Sequence, residues 1–378
     1  MDVKTLTSIL VCNNCHSDRL DYSDPAKITC ERCSNTYLVV EDIVYTEQVL
    51  ILEREGGEKA SSQELVGESA RGYSNWWLKV NQGIGYRQNI ERMFSAHTND
   101  GLDSLENKLI LDAGCGGGRH LSYVHQARNS TIVAFELGLG VQLAKELNSH
   151  ATNIIYIQGN ILNLPFREGV FDYVYSFGVL HHTPDSRAAF FCLSRTVKLR
   201  GIFAVYLYHE KHKRVQNQSV LNAAHLIYRR IYRIPLRRLI SKCPHWLVYG
   251  MCHVMYYFAV LEARLNRFSV IKPIVLILKA LLPPHEYRPL ETKKHNIVRN
   301  YDTLCTRYIR SHYFEEVLQW FMACGFSNVE HTRFGLSMKA VKESTDALDH
   351  VCVAKYEESD DQFSGDVEAD GLRRTPRI

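Results

Sequence analysis

What the chain lacks narrows its function first. No apolar stretch reaches the ~18–20 uninterrupted residues that cross a bilayer. The two that come closest, 246–265 and 268–284, are broken by His253, Glu262 and Arg264 and by Lys272-Pro273. Met1 to Leu10 has no basic start followed by an apolar core, so it does not read as a secretory signal. Charge of one sign is missing too: 45 Lys and Arg against 41 Asp and Glu leave +4, which neither demands a nucleic acid nor excludes one. An N-P-P-Y motif is absent, as is an obvious catalytic carboxylate. Cysteine is not scarce, but its count is odd, at 11. Without a signal, that argues for reduced thiols in a cytoplasmic setting.

Four of those thiols form a pattern. Cys12 and Cys15 make one C-x-x-C, Cys30 and Cys33 another, and 14 residues separate the pairs. Two such turns aim four thiolates at one ion and close a tetrahedron with no water position, which reads as structural Zn2+. A segment this short has little core, so metal would supply much of its folding energy. Two disulfides or four free thiols are the alternative. The apolar runs at 9–11, 37–40 and 43–44 complete a pattern over 6–46. That pattern resembles the small zinc ribbon of the activator subunit of tRNA and release-factor methyltransferases. We divide the chain into a ribbon at 1–46 and a linker at 47–72. The aromatics Tyr73, Trp76 and Tyr86 that follow would either lid a site or pack on a sheet.

Lys108 to His120, KLILDAGCGGGRH, organises the rest. A short apolar run ends at Asp112, and Gly114, Gly116 and Gly118 follow at every second position. Glycines let the backbone turn sharply and approach a ligand closely. Strand, glycine turn and helix open a doubly wound sheet. Residues 131–135 read as a second strand ending in Glu136, placed to accept from both ribose hydroxyls, a role dinucleotide enzymes share. A third strand, 154–157, leads to Asn160 and Ile161, and a fourth leads into the phrase FDYVYSFGVLHHTPD. Leu193, Val197 and Leu199 read as a continuing helix before a fifth strand at 201–207.

Together these motifs resemble class I S-adenosylmethionine (SAM) methyltransferases, nearest the ubiquinone and menaquinone group. The resemblance covers residues 108–207. It implies an α/β fold: a Rossmann-like seven-stranded methyltransferase sheet, here with a small N-terminal zinc ribbon and a helical insertion. It implies S-adenosylmethionine as cofactor, held by Asp112, Gly114, Cys115, Gly116, Gly118, Glu136, Asn160, Ile161 and Phe177. Where the family commonly has Asp, this chain has Asn160, whose amide carbonyl can still accept from adenine. For a hydroxyl acceptor a base is needed, and His181 and His182 are the candidates, though the pair also occurs as a structural feature of the motif.

The core is assigned to 73–207, with a helical cap insertion at 208–300, a C-terminal part of the core at 301–356 and a disordered tail at 357–378. The cap packs six basic residues into 229–242 beside apolar helices. It suits a small-molecule or lipid-like acceptor and peripheral contact with a membrane, or else a buried helical subdomain with a solvated basic face. Residues 301–312 are expected to return to the pocket, 314–321 to form a helix, and Val329 and 351–354 to lie on the last two strands. An RNA or protein methyltransferase and a non-catalytic SAM-binding scaffold are the other classes. Nucleic acid is the weaker choice, because no known RNA module is visible.

Overall fold

The computed structural model describes residues 2–46, 74, 90–210, 234–241, 243–265, 287–289, 292–306, 308–332 and 334–344. Its strands are β1 (Leu20–Asp21), β2 (Lys27–Cys30), β3 (Thr36–Val40), β4 (Ile43–Tyr45), β5 (Leu109–Ala113), β6 (Thr131–Glu136), β7 (Ile154–Gln158), β8 (Phe171–Phe177), β9 (Val197–Leu207), β10 (Phe326–His331) and β11 (Leu336–Lys342). Its helices are α1 (Val3–Ile9), α2 (Ile90–Thr98), α3 (Leu121–Val124), α4 (Gly140–Leu147), α5 (Ser186–Thr196), α6 (Ile234–Ser241), α7 (His245–Leu265), α8 (Lys293–Cys305) and α9 (Phe314–Ala323).

One sheet organises the core, in the order β1-β2-β3-β4-β7-β6-β5-β8-β9-β11-β10. The stretch from β7 to β10 is the expected doubly wound arrangement, parallel from β7 to β9 and closed by the antiparallel β9, β11 and β10. The expectation of seven strands is corrected: the sheet has eleven. The edge of β7 carries backbone groups that need partners. β4 meets them in parallel, Ile43 opposite Tyr156 and Tyr45 opposite Gln158, so the amino-terminal segment continues the sheet.

The strand faces bury two layers. On one face Leu111, Phe135, Val174 and Phe203 pack with Leu6 and Ile9 of α1, with α5 and with α9. On the other, Ile110, Ala134, Tyr173 and Tyr175 meet Phe94 of α2, Val124 of α3 and Val141 of α4. The insertion has its own small core, Ile240, Val248, Cys252 and Met255 against Ile297 and Tyr301. Among the described residues, no helix is long and apolar enough to cross a membrane.

One further expectation is corrected. The helix read through Leu199 stops at Thr196, and β9 starts at Val197. Arg200 takes a left-handed φ of 64° there, which a helix does not allow. The strand that pairs with β10 is Leu336–Lys342; residues 351–354 lie outside the described residues, as do Tyr73, Trp76, Tyr86, the linker, Arg229, Arg230, Arg233 and the tail. The helix expected over 314–321 is present and runs on to Ala323, and Gly325 follows it at a φ of 75°.

Candidate functional site

The site lies at the carboxyl ends of the parallel strands, where doubly wound sheets leave a crevice. Asp112 closes β5 and is buried, its Oδ2 accepting from the Tyr175 hydroxyl at 2.8 Å. The glycine turn follows. Gly114 and Cys115 donate their N–H groups to the Phe135 carbonyl at 2.7 and 3.0 Å. Gly114, Gly116 and Gly118 all sit at positive φ, 87°, 55° and 78°. A Cβ on Gly114 would fall inside the Val179 side chain, and one on Gly118 would meet Ala144 at 2.8 Å. Val179 belongs to the FDYVYSFGVLHH phrase, so packing joins the first and fourth motifs.

Glu136 ends β6, buried, and its carboxylate crosses to the turn. Oε2 accepts from the Gly116 N–H at 2.8 Å and Oε1 from the Gly138 N–H at 3.1 Å. Burial pushes its pKa up, while those N–H bonds hold it down. Cys115 is buried, and its thiol is raised well above the ordinary range, chiefly by burial. Asn160 spends its Oδ1 on the Leu162 N–H at 3.0 Å, capping a short turn, with Ile161 buried beside it. Phe177, partly exposed, stacks on Tyr175 at 5.0 Å. Ser74 accepts from the Leu139 N–H at 2.8 Å, so the segment before α2 reaches the turn after β6.

Among the buried polar atoms that lack partners within the described residues are Gln158 Oε1, on the residue opposite Glu136 in the sheet register, and His120 Nε2, just past the glycine turn. With the left-handed glycines and the Glu136 carboxylate, they make a cradle that fits a polar nucleoside. Asp112 is pushed up to about 7, chiefly by burial and further by Glu136, against the Tyr175 bond that lowers it. Between an unfolded value near 3.8 and about 7, the folded chain binds more protons than the unfolded one. Stability without cofactor therefore falls as pH rises through that window. Asp112→Asn is expected to flatten the fall, leaving the smaller share due to Glu136. Urea midpoints from pH 4 to 8 check this, and an unchanged slope refutes it.

The histidine pair sits where the insertion returns. His181 is fully buried, and neither ring nitrogen has a partner among the described residues. Its ring stacks on Tyr208 at 3.8 Å. His182 donates from Nδ1 to the Tyr308 carbonyl at 2.9 Å. The Arg310 N–H donates to the His181 carbonyl at 3.0 Å, so the segment after α8 does return to this end of the sheet.

The four cysteines converge at the other end of the ribbon. Their sulfurs all lie within 4.8 Å of one another, with Cys12–Cys33 at 3.5 Å and Cys15–Cys30 at 3.6 Å. Zn–S bonds of about 2.3 Å in a tetrahedron set sulfurs ~3.8 Å apart, so this set fits zinc; covalent disulfides would be ~2.05 Å. The Asn14 and Asn35 amides lie 3.6 and 3.8 Å from Cys33 and Cys12 sulfurs, as groups that steady thiolates would.

The sequence reading missed Tyr175, His97 and Thr46. Tyr175 and His97 sit on apolar faces, at strand and helix spacing, where each passes for core. Thr46 lies at the ribbon's exit, where its amide and hydroxyl both donate to the Gln158 carbonyl at 2.9 Å.

Residues 111–205 match the methyltransferase domain family. Among curated proteins the chain is 26% identical over 165 residues to the tRNA U34 carboxymethyltransferase of Nautilia profundicola, covering 42% of this chain and 53% of that one. It is 26% identical over 103 residues to the sterol 24-C-methyltransferase of Eremothecium gossypii, covering 26% and 27%. The chain thus spans about half of the first relative and about a quarter of the second. A solved SAM-dependent methyltransferase from Aquifex aeolicus is similar at 14% identity and a TM-score of 0.31, over 41% of this chain and 85% of that one. The domain match and the relatives support a class I, S-adenosylmethionine-dependent methyltransferase, while their printed substrates diverge between tRNA and sterol.

Proposed function

We propose that this chain, built on a methyltransferase domain, transfers a methyl group from S-adenosylmethionine to a small-molecule or lipid-like acceptor. The observation that carries the reading is the Glu136 carboxylate bonded across to the Gly116 amide, a pre-formed cradle at the end of β6. When bound, the cofactor supplies an electrophilic sulfonium methyl. The chain's task is then to orient the acceptor and exclude water. Asp112, Gly114, Gly116 and Gly118 shape the turn, Glu136 takes the ribose, and Asn160 and Ile161 border the base. The Phe177 ring faces the acceptor side. In the same reading Cys12, Cys15, Cys30 and Cys33 hold a structural zinc, and cysteines not joined by disulfides among the described residues suit the cytoplasm.

The acceptor class is supported by a cluster of rings at the carboxyl ends of β8 and β9. Phe177, Tyr206 and Phe334 gather around His97. On the insertion, Leu239, Trp246, Val254, Tyr257 and Leu261 are exposed along α6 and α7, which supports contact with a lipid surface. Incubation with labelled S-adenosylmethionine and a cell extract tests the proposal. Label is expected in the solvent-extractable lipid and small-molecule fraction. Label confined to RNA or protein would move the chain to the macromolecular class, and a bound cofactor with no label anywhere would make it a scaffold.

A further inference from the structure

Four rings run outward from Asp112. Tyr175, whose hydroxyl donates to Asp112, stacks on Phe177 at 5.0 Å. Phe177 stacks on His97 at 4.7 Å, and His97 leans on Tyr206 at 4.8 Å. Phe177 and Tyr206 are paired residues at the carboxyl ends of β8 and β9, and both keep partial exposure. His97 therefore stands at the crevice end of the sheet, beside the ring of His120 that follows the glycine turn.

Its protonation is fixed by a chain of bonds. The Ser337 hydroxyl donates to the Phe334 carbonyl at 2.5 Å, and a carbonyl can only accept. The hydroxyl oxygen then has only lone pairs for His97 Nδ1, 2.8 Å away. Nδ1 must carry the ring proton, which leaves Nε2 a bare lone pair with no partner among the described residues. Burial, with Arg119 nearby, lowers the His97 pKa to about 4, so the ring is neutral near pH 7. A histidine held as one tautomer by a second group presents its other nitrogen's lone pair as a proton acceptor.

We propose that His97 is the base of the methyl transfer and Ser337 its positioning residue, acting on an acceptor with an apolar or aromatic body and one hydroxyl. This deepens the methyltransferase reading and rests on it. The acceptor O–H gives its proton to Nε2. The oxygen lone pair forms the new bond to the methyl carbon as the methyl–sulfur bond breaks and leaves its electron pair on sulfur. The imidazolium then returns its proton to water. Rings on the walls suit the acceptor body, and the lone pair selects its hydroxyl.

Two measurements test this. On 15N-labelled protein, long-range proton–nitrogen spectra at pH 7 should show His97 neutral with its proton on Nδ1. Ser337→Ala should let the other tautomer appear. In the transfer assay with labelled S-adenosylmethionine and the solvent-extractable fraction of a cell extract, His97→Asn is the informative change. Its amide can still donate to Ser337, but no basic nitrogen remains. It should lower transfer by about 100-fold or more, with cofactor Kd by calorimetry within about twofold of wild type. Ser337→Ala should cost about tenfold. A proton found on Nε2 in the wild type overturns the proposal. So does His97→Asn transferring at the wild-type rate, or a wild type that binds cofactor and labels no fraction. Failure of the wild type to bind cofactor overturns the methyltransferase reading and the base with it.

Discussion

Cys30→Ser should strip the chain of its metal, and the loss should be felt at the cofactor site rather than in the ribbon alone. Three thiolates and a hydroxyl make a poor zinc shell, and in small metal domains metal binding is itself folding free energy, of order 10 kcal/mol or more. The ribbon is not a separate bead. β4 pairs with β7 along the sheet, and Thr46 donates twice to the Gln158 carbonyl. On the far side of the same loop, Val11 N–H donates to the Pro165 carbonyl, Arg167 N–H donates to the Ile9 carbonyl, and Leu10 bridges to Phe166. The ribbon therefore grips residues 158–167 at both ends, and Asn160 and Ile161 lie between the grips. A Cβ on Gly159 would fall against the Thr46 hydroxyl, so the two segments are in close contact. We expect Cys30→Ser to lose metal by elemental analysis, to lower Tm by roughly 5 °C or more, and to weaken S-adenosylmethionine about tenfold. Full metal content would refute the four-thiolate site. Metal loss with unchanged cofactor affinity would show that the grip is not needed to hold the loop.

This coupling was invisible in the letters. The C-x-x-C pairs announce four ligands, because metal geometry is local and repeats with fixed spacing. Ile43, Val44 and Tyr45 announce a buried strand, and all three are buried. Nothing in them names β7, more than 100 residues on, as the partner, since strand pairing between distant segments is decided by which edges lie open. The strand that pairs with β10 was hidden for a different reason. Leu336–Lys342 alternates with serine and lysine, and Lys342 is itself buried. Its amine donates to the Ser194 and Val197 carbonyls at 2.8 and 3.1 Å, which lets a cation take a core position. His97 escaped for the mirror reason: with Ile90, Phe94 and Thr98 it lies on the buried face of α2, where period alone says core. By contrast, the glycine turn and Glu136 were legible, because close backbone approach and a strand-end carboxylate impose residue types at set positions.

Gly114 gives the sharpest test of that legible part. Its φ of 87° costs an alanine roughly 1–2 kcal/mol, and the new Cβ would also lie inside Val179. Two separable penalties therefore fall on one atom. In Gly114→Ala the turn must shift, pulling the Gly114 and Cys115 amides off the Phe135 carbonyl and Gly116 off Glu136. We expect S-adenosylmethionine affinity to drop by about 100-fold, equal to roughly 2.7 kcal/mol. Val179→Ala added to it removes the steric part while the backbone strain stays, so the double variant should recover about tenfold and no more. Gly101, whose added Cβ meets nothing within 4 Å, serves as the control, and Gly101→Ala should leave affinity unchanged. If Gly114→Ala binds the cofactor like wild type by calorimetry, the cradle is not the binding site. If Val179→Ala rescues nothing, the φ value alone carries the cost, and contact between the first and fourth motifs is incidental to binding.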